Sequence, residues 1–156
     1  MGIDITKMAG LTSISSRPLR NPYYLQYNDI LLAARGAGHG SFRSAVFSSH
    51  EKNAVASSSI YIIRITDVTV IPKFISLYLN SPEGQKTISQ IVTGGSYIQS
   101  ILLKNLSGLK IPLPPIHIQK LIIALHENIT EQNKIRQRQR DIQHTIINTT
   151  FRNLTV

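Results

Sequence analysis

A chain of 156 residues has room for one domain of ordinary size, or for a smaller domain with an extension. It contains no cysteine, which excludes disulfides, thiolate nucleophiles and cysteine-based zinc sites and fits a reducing compartment. Its formal charge of +9, from 17 Lys and Arg against 8 Asp and Glu, excludes an acidic surface and points to a polyanionic partner, of which nucleic acid is the commonest.

In chain order, residues 1–22 are rich in Ser, Thr, Gly and Pro and read as irregular or edge-strand structure, with Arg17 and Arg20 flanking Pro18. The run Tyr27 to Ala34 follows an Asn-Asp turn and reads as a buried strand. It leads through the Gly-rich stretch Arg35–Arg43 into a second strand, Ser44–Phe47, and the pair predicts a hairpin. Ser57 to Ile65 is dense in β-branched and aromatic residues and predicts a further strand. Phe74, Ile75, Leu77 and Tyr78 have helical spacing within Lys73–Leu79. A second helix is expected over about Glu83 to Val92, with Pro82 near its start, and Thr93-Gly94-Gly95-Ser96 breaks it. Ile98 to Leu103 reads as a short strand or turn.

The stretch Asn105 to Gln119 organises the rest. Leu109, Ile111 and Leu113 alternate as a short strand with one buried face. Pro112, Pro114 and Pro115 fix three φ angles and remove three donors, so the chain runs extended, and Pro115 suits the first helical position. From Ile116 to about Thr150 there is no Gly or Pro, which predicts a helix on the order of 50 Å long at ~1.5 Å per residue. The spacing of 3 and 4 picks out Ile118, Leu121, Leu125, Asn128, Gln132, Ile135, Gln139, Ile142, Ile146 and Thr149 as a seam. Leu121, Leu125, Gln132, Ile135, Ile142 and Ile146 are its expected partner-facing residues, because one small domain cannot cover so long a stripe. The fold class is therefore α+β: a small mixed domain with hairpins and two short helices over residues 1–113, then a long coiled-coil helix over 114–156.

Catalytic chemistry finds little support. Asn21-Pro22-Tyr23-Tyr24 is similar to the base-holding motif of adenine methyltransferases but lacks the second Pro and a preceding Gly-rich cofactor loop. Gly36-Ala37-Gly38-His39-Gly40 lacks the spacing and the acidic residue of a dinucleotide loop. The histidines 39, 50, 117, 126 and 144 have no metal-ligand spacing, and no nucleophile–base pair is evident, so neither a metal nor an enzymatic activity is expected. Asp29 at a strand start is explained by a turn role. Lys134, Arg136, Arg138 and Arg140 spread over more than one helix face and read as a solvated flank. The Gly-rich stretch, in contrast, would let backbone N–H groups approach phosphate, with Arg35 and Arg43 supplying charge. No apolar run approaches a membrane span, residues 1–20 lack a signal peptide's apolar core, and a cytoplasmic location is expected.

Four segments together resemble the specificity (S) subunits of type I restriction–modification systems. They are Asp29-Ile30-Leu31-Leu32-Ala33-Ala34-Arg35-Gly36, Pro72-Lys73-Phe74-Ile75-Ser76-Leu77-Tyr78-Leu79-Asn80-Ser81, Thr93-Gly94-Gly95-Ser96 with Gln99, and Ile111-Pro112-Leu113-Pro114-Pro115 with a helix containing Gln119. Their order matches across roughly Tyr27 to Phe151. Family members generally carry two recognition domains and two helices, so a chain with one of each resembles a half subunit. The resemblance implies a non-catalytic, sequence-specific DNA-binding module that directs an adenine methyltransferase, and through it a nuclease subunit, to a bipartite site. AdoMet, Mg²⁺ and ATP would then belong to those partner subunits, with no cofactor in this chain. A homodimer, or pairing with another half, would run through the long helix. The expected DNA-binding residues are Arg17, Arg20, Arg35, Gly38, His39, Ser41, Arg43, Thr93, Ser96 and Gln99. The alternative is a truncated assembly or inhibitory subunit that binds the methyltransferase or another half through the helix without reading DNA.

Overall fold

The structure, a computed structural model, describes residues 2–4, 11–13, 24–38, 40–50, 54–95 and 97–154, the first two segments as backbone only. They divide into two compact units, Met1–Lys120 and Leu121–Val156.

The first unit is built on a four-stranded antiparallel sheet in the order β2 (Leu11–Ser13), β6 (Ile60–Ile63), β3 (Ile30–Ala33), β5 (Ser44–Val46). The expected hairpin is present: β3 pairs β5 with Leu31 opposite Ala45, and Ala33 N–H donates to the Arg43 carbonyl at 3.0 Å. Alternation along β3 sends Ile30 and Leu32 to one face, opposite Ile63 and Tyr61 of β6, and all four are buried. Helix α1 (Pro72–Asn80) covers that face with Phe74, Ile75 and Leu79. On the other face Ile62 packs with Leu25 and Ala56, flanked by Leu31 and Phe47. The edge strand β5 is closed by a side chain. Asn80 Oδ1 accepts from Ser44 N–H at 2.9 Å, and its Nδ2 donates to the Ser44 carbonyl at 2.8 Å, as a neighbouring strand would.

Helix α2 (Pro82–Ser89) follows directly, capped by Ser81, whose Oγ accepts from Gly84 N–H at 3.1 Å, with Pro82 at its first position. It ends three residues before the expected Val92. Ile88 is fully buried, and the β-branched Ile91, Val92 and Thr93 pass into β7 (Val92–Gly94). Thus Thr93 and Gly94 are strand residues where a turn was expected. The strand expected over Ser57–Ile65 is confined to β6, because Ser58 and Ser59 form a turn. β8 (Gln99–Ile101) and a short helix α3 (Leu103–Leu106), which the sequence reading had not separated, lead to β9 (Lys110–Pro112). β9 buries Ile111, and Leu109 just before it is buried too, as expected, whereas Leu113 just after it is half-buried; β9 pairs with β1 (Gly2–Asp4).

Helix α4 (Ile116–Leu154) begins one residue later than expected. The Pro115 carbonyl accepts from Ile118 and Gln119 N–H at 2.9 and 3.1 Å, so Pro115 precedes the helix as its cap. Gln119, in the first turn, is fully buried. Its Oε1 accepts from Ile71 N–H, while Nε2 donates to the Thr69 and Pro114 carbonyls, each at 2.9 Å.

The second unit is the remainder of α4. Its hydroxyls turn inward on the helix itself: Thr130, Thr145, Thr149 and Thr150 each donate to the carbonyl four residues before. No helix among the described residues is long and apolar enough to cross a membrane.

Candidate nucleic-acid interface

The Gly-rich stretch leaves the main sheet. After a bend at Ala34, β4 (Arg35–Gly36) joins a second, three-stranded antiparallel sheet in the order β4, β8, β7. Arg35 lies opposite Ser100, and Ser100 opposite Thr93; Gly36 lies opposite Gln99, and Gln99 opposite Gly94. Residues directly opposite share a face. Ile101, two residues from Gln99, is buried, so the Gln99 row looks toward the protein. The row Arg35–Ser100–Thr93 therefore lies on the outer face, with Arg35 and Thr93 exposed. The Thr93 hydroxyl donates to the Ser100 carbonyl at 3.2 Å, and the Arg35 guanidinium has no side-chain partner among the described residues. An exposed cation fixed on a strand, beside hydroxyls, is suited to phosphate or base-edge contact. Ser100 was not singled out from sequence, since only the register places it between Arg35 and Thr93.

The inner row borders a cleft of about 110 Å³ with walls that include Gly38, Gly40, Phe42, Gln85, Gly94 and Gln99. Gln85 Nε2 holds its floor by donating to the Phe42 and Leu79 carbonyls at 2.8 and 2.7 Å. Gly94 has φ +127°, and a Cβ there would collide with the Ile98 carbonyl, so the turn back into β8 requires glycine.

Two other expected site residues are engaged in holding the fold. Ser41 donates its hydroxyl to the Gly38 carbonyl at 2.7 Å, and a Cβ on Gly36 would overlap that side chain. Arg43 is exposed, but its Nη1 donates to the Asn80 carbonyl at 3.3 Å, at the end of α1. Gly38 stays at the cleft and Gln99 on its rim. Arg17, Arg20, His39 and Ser96 lie outside the described residues.

Asp29 does more than turn the chain. It is 1% exposed; Oδ2 accepts from Gln26 N–H and from Arg64 Nη2, each at 2.7 Å, and Oδ1 accepts from Arg64 Nε at 2.8 Å. This bidentate pair raises the Arg64 guanidinium above its ordinary value through the Asp29 hydrogen bond, so this cation is occupied with the core. The Thr69 hydroxyl and N–H both donate to Asp67 and lower its carboxyl below the usual range. No cluster of three metal-ligating side chains occurs among the described residues.

Along α4 the expected seam lies open in this chain. Leu121 is 63%, Leu125 60% and Ile142 53% exposed, with Ile135 and Ile146 similar and Gln132 exposed among them. Of the basic flank, Lys134 meets Glu131 at 3.4 Å, and both are well solvated.

The family model described as "Type I restriction modification DNA specificity domain" matches residues 3–143, nearly the whole chain. The chain belongs to this family. The family is the non-catalytic DNA-recognition component of restriction–modification systems, and the chain is a specificity domain without enzymatic chemistry of its own. Two of the solved structures that share its fold are S subunits. The S subunit of a type I restriction-modification system from M. genitalium aligns at a TM-score of 0.61 and 18% identity over 84% of this chain. The HsdS subunit from Thermoanaerobacter tengcongensis aligns at 0.59 and 19% identity over 89%. The specificity domain spans 39% and 41% of those two chains, about two-fifths of each. No curated protein shows a significant sequence match.

Proposed function

We propose that the first unit of this specificity domain reads duplex DNA and that α4 joins it to a second copy or a second half. The carrying observation is the family match, which runs from residue 3 to residue 143 and so includes both the folded unit and most of the helix. The outer row Arg35–Ser100–Thr93 supports the location of the DNA contact, since it offers charge and hydroxyl groups on strands that contain no carboxylate. Lysines and arginines elsewhere on the unit, exposed at Arg43, Lys73, Lys86 and Lys104, add sequence-independent attraction to phosphate.

In this reading two units related by a two-fold address the two halves of a bipartite site, and α4 sets their spacing. Its exposed stripe of Leu121, Leu125, Ile135, Ile142 and Ile146 would close against the equivalent stripe as a coiled coil. The assembly acts in the cytoplasm and directs an adenine methyltransferase subunit, with a nuclease subunit attached through it. Those partners supply AdoMet, Mg²⁺ and ATP.

Competition binding on duplex DNA tests this. Affinity for a selected sequence should exceed that for random competitor and fall steeply as salt rises. An equal affinity for every duplex would leave an assembly or inhibitory role through the helix instead.

A further inference from the structure

The hairpin between β7 and β8 carries an unusual tip. Tyr97 is 89% and Ile98 71% exposed, at the turn between Gly94 and Gln99. Neither has a hydrogen-bond or ring partner among the described residues, so neither side chain is needed to hold the hairpin. The hairpin is held instead by its ladder, by the Thr93 hydroxyl and by the close return at Gly94. Two large apolar side chains thus stand in water on a well-built support, next to the Arg35–Ser100–Thr93 row.

The surroundings indicate what they meet. Neither the three strands nor the tip contains a carboxylate, so nothing there repels a polyanion. The tip lies past the last row of the three-stranded ladder, Gly36–Gln99–Gly94, where only the β7–β8 hairpin continues, and a two-stranded hairpin has the cross-section to enter the major groove of B-form DNA. Of the groups that base edges present there, the C5-methyl of thymine is the apolar one. We infer that Tyr97 and Ile98 are specificity-determining residues that close on a thymine methyl in the major groove, while Arg35 fixes the register of the ribbon beside them. This rests on the DNA-reading function proposed above and names the bases it selects.

The test begins with selection of bound duplexes from a random pool by the full chain, followed by binding to the selected site with deoxyuridine in place of thymidine at single positions. Loss of a methyl at one or two adjacent positions should weaken the wild type about fourfold, the worth of one buried methyl. The Tyr97→Ala/Ile98→Ala variant should bind the two duplexes equally while keeping the salt dependence of the wild type. Tyr97→Phe should retain the discrimination. Circular dichroism of the double variant should match the wild type, as expected for side chains this exposed. A selected site whose affinity is indifferent to deoxyuridine everywhere, or a double variant that still discriminates, overturns the assignment while leaving DNA reading intact. A pool that yields no preferred sequence removes both.

Discussion

The two units of this chain treat their apolar side chains in opposite ways. In Met1–Lys120, Ile30, Leu32, Ile63, Ile75, Leu79, Ile88 and Ile111 are sealed, and no buried side-chain polar atom lacks a partner among the described residues. In Leu121–Val156 threonine hydroxyls and the Gln137–Asp141 pair bond along the helix, while Leu121, Leu125, Ile135, Ile142 and Ile146 remain open. Among its described residues the first unit carries its own core. An isolated helix on the order of 50 Å, by contrast, draws most of its stability from packing that this unit does not itself contain. In the proposed reading, DNA recognition and joining are divided between a unit with its own core and a helix whose apolar stripe is open.

That contrast can be broken from either side. The largest effect should come from Ile135→Asp with Ile142→Asp. Two uncompensated carboxylates in a closed seam cost on the order of 6 kcal/mol, so sedimentation should give monomers with reduced helicity, while the first unit melts as before. Next is Arg64→Ala, which strands the buried Asp29 carboxylate. It should lower the stability of the first unit by about 3 kcal/mol in denaturant titration, at the lower end for a buried pair because Arg64 is part-exposed. Gln119→Ala leaves the Ile71 N–H and the Thr69 carbonyl without their partner. A loss of about 2 kcal/mol is expected in the same titration, with α4 association unchanged.

Smaller effects sharpen the reading side. Arg35→Ala should weaken DNA binding about fivefold at low salt and reduce the slope of log affinity against log salt by about one, with no change in melting. Smallest is the pH response of Asp67. Its folded value is lowered, so the stability it adds is complete above the ordinary carboxylate range and is lost as pH falls through the lowered value. Denaturation midpoints of the wild type and Asp67→Asn should therefore differ at neutral pH and converge in strong acid.

Local patterning carried much of this architecture. The β3–β5 hairpin, α1, the alternation of Leu109 and Ile111, and the unbroken α4 all follow from spacing, prolines and turn residues within a few positions. What escaped depends on distant segments. β4 turns away from its hairpin because Arg35 and Gly36 find partners at Ser100 and Gln99, more than sixty residues on. The same pairing brings two separately suspected stretches, Arg35–Gly38 and Thr93–Gln99, into one sheet and cleft, and it adds Ser100. Gln119 marks the family in the sequence, yet its task of tying Thr69 and Ile71 to the helix start is visible only in three dimensions. The proline stretch before it is a strand end and a helix cap, and Ser41 spends its hydroxyl, and the exposed Arg43 one guanidinium N–H, on the fold. Asp29 read as a turn residue because the Arg64 that pairs with it is 35 residues on, just past the Ile30–Ile63 row of the neighbouring strand.

The most direct test of the division between reading and joining is the stoichiometry of the full chain on a labelled duplex bearing two inverted copies of its selected sequence, measured by sedimentation equilibrium. Two chains per duplex binding as one unit, replaced by independent single-chain binding in the Ile135→Asp/Ile142→Asp variant, is the predicted result. One wild-type chain per duplex at saturation, or a double variant that still binds as a joined pair, would contradict it.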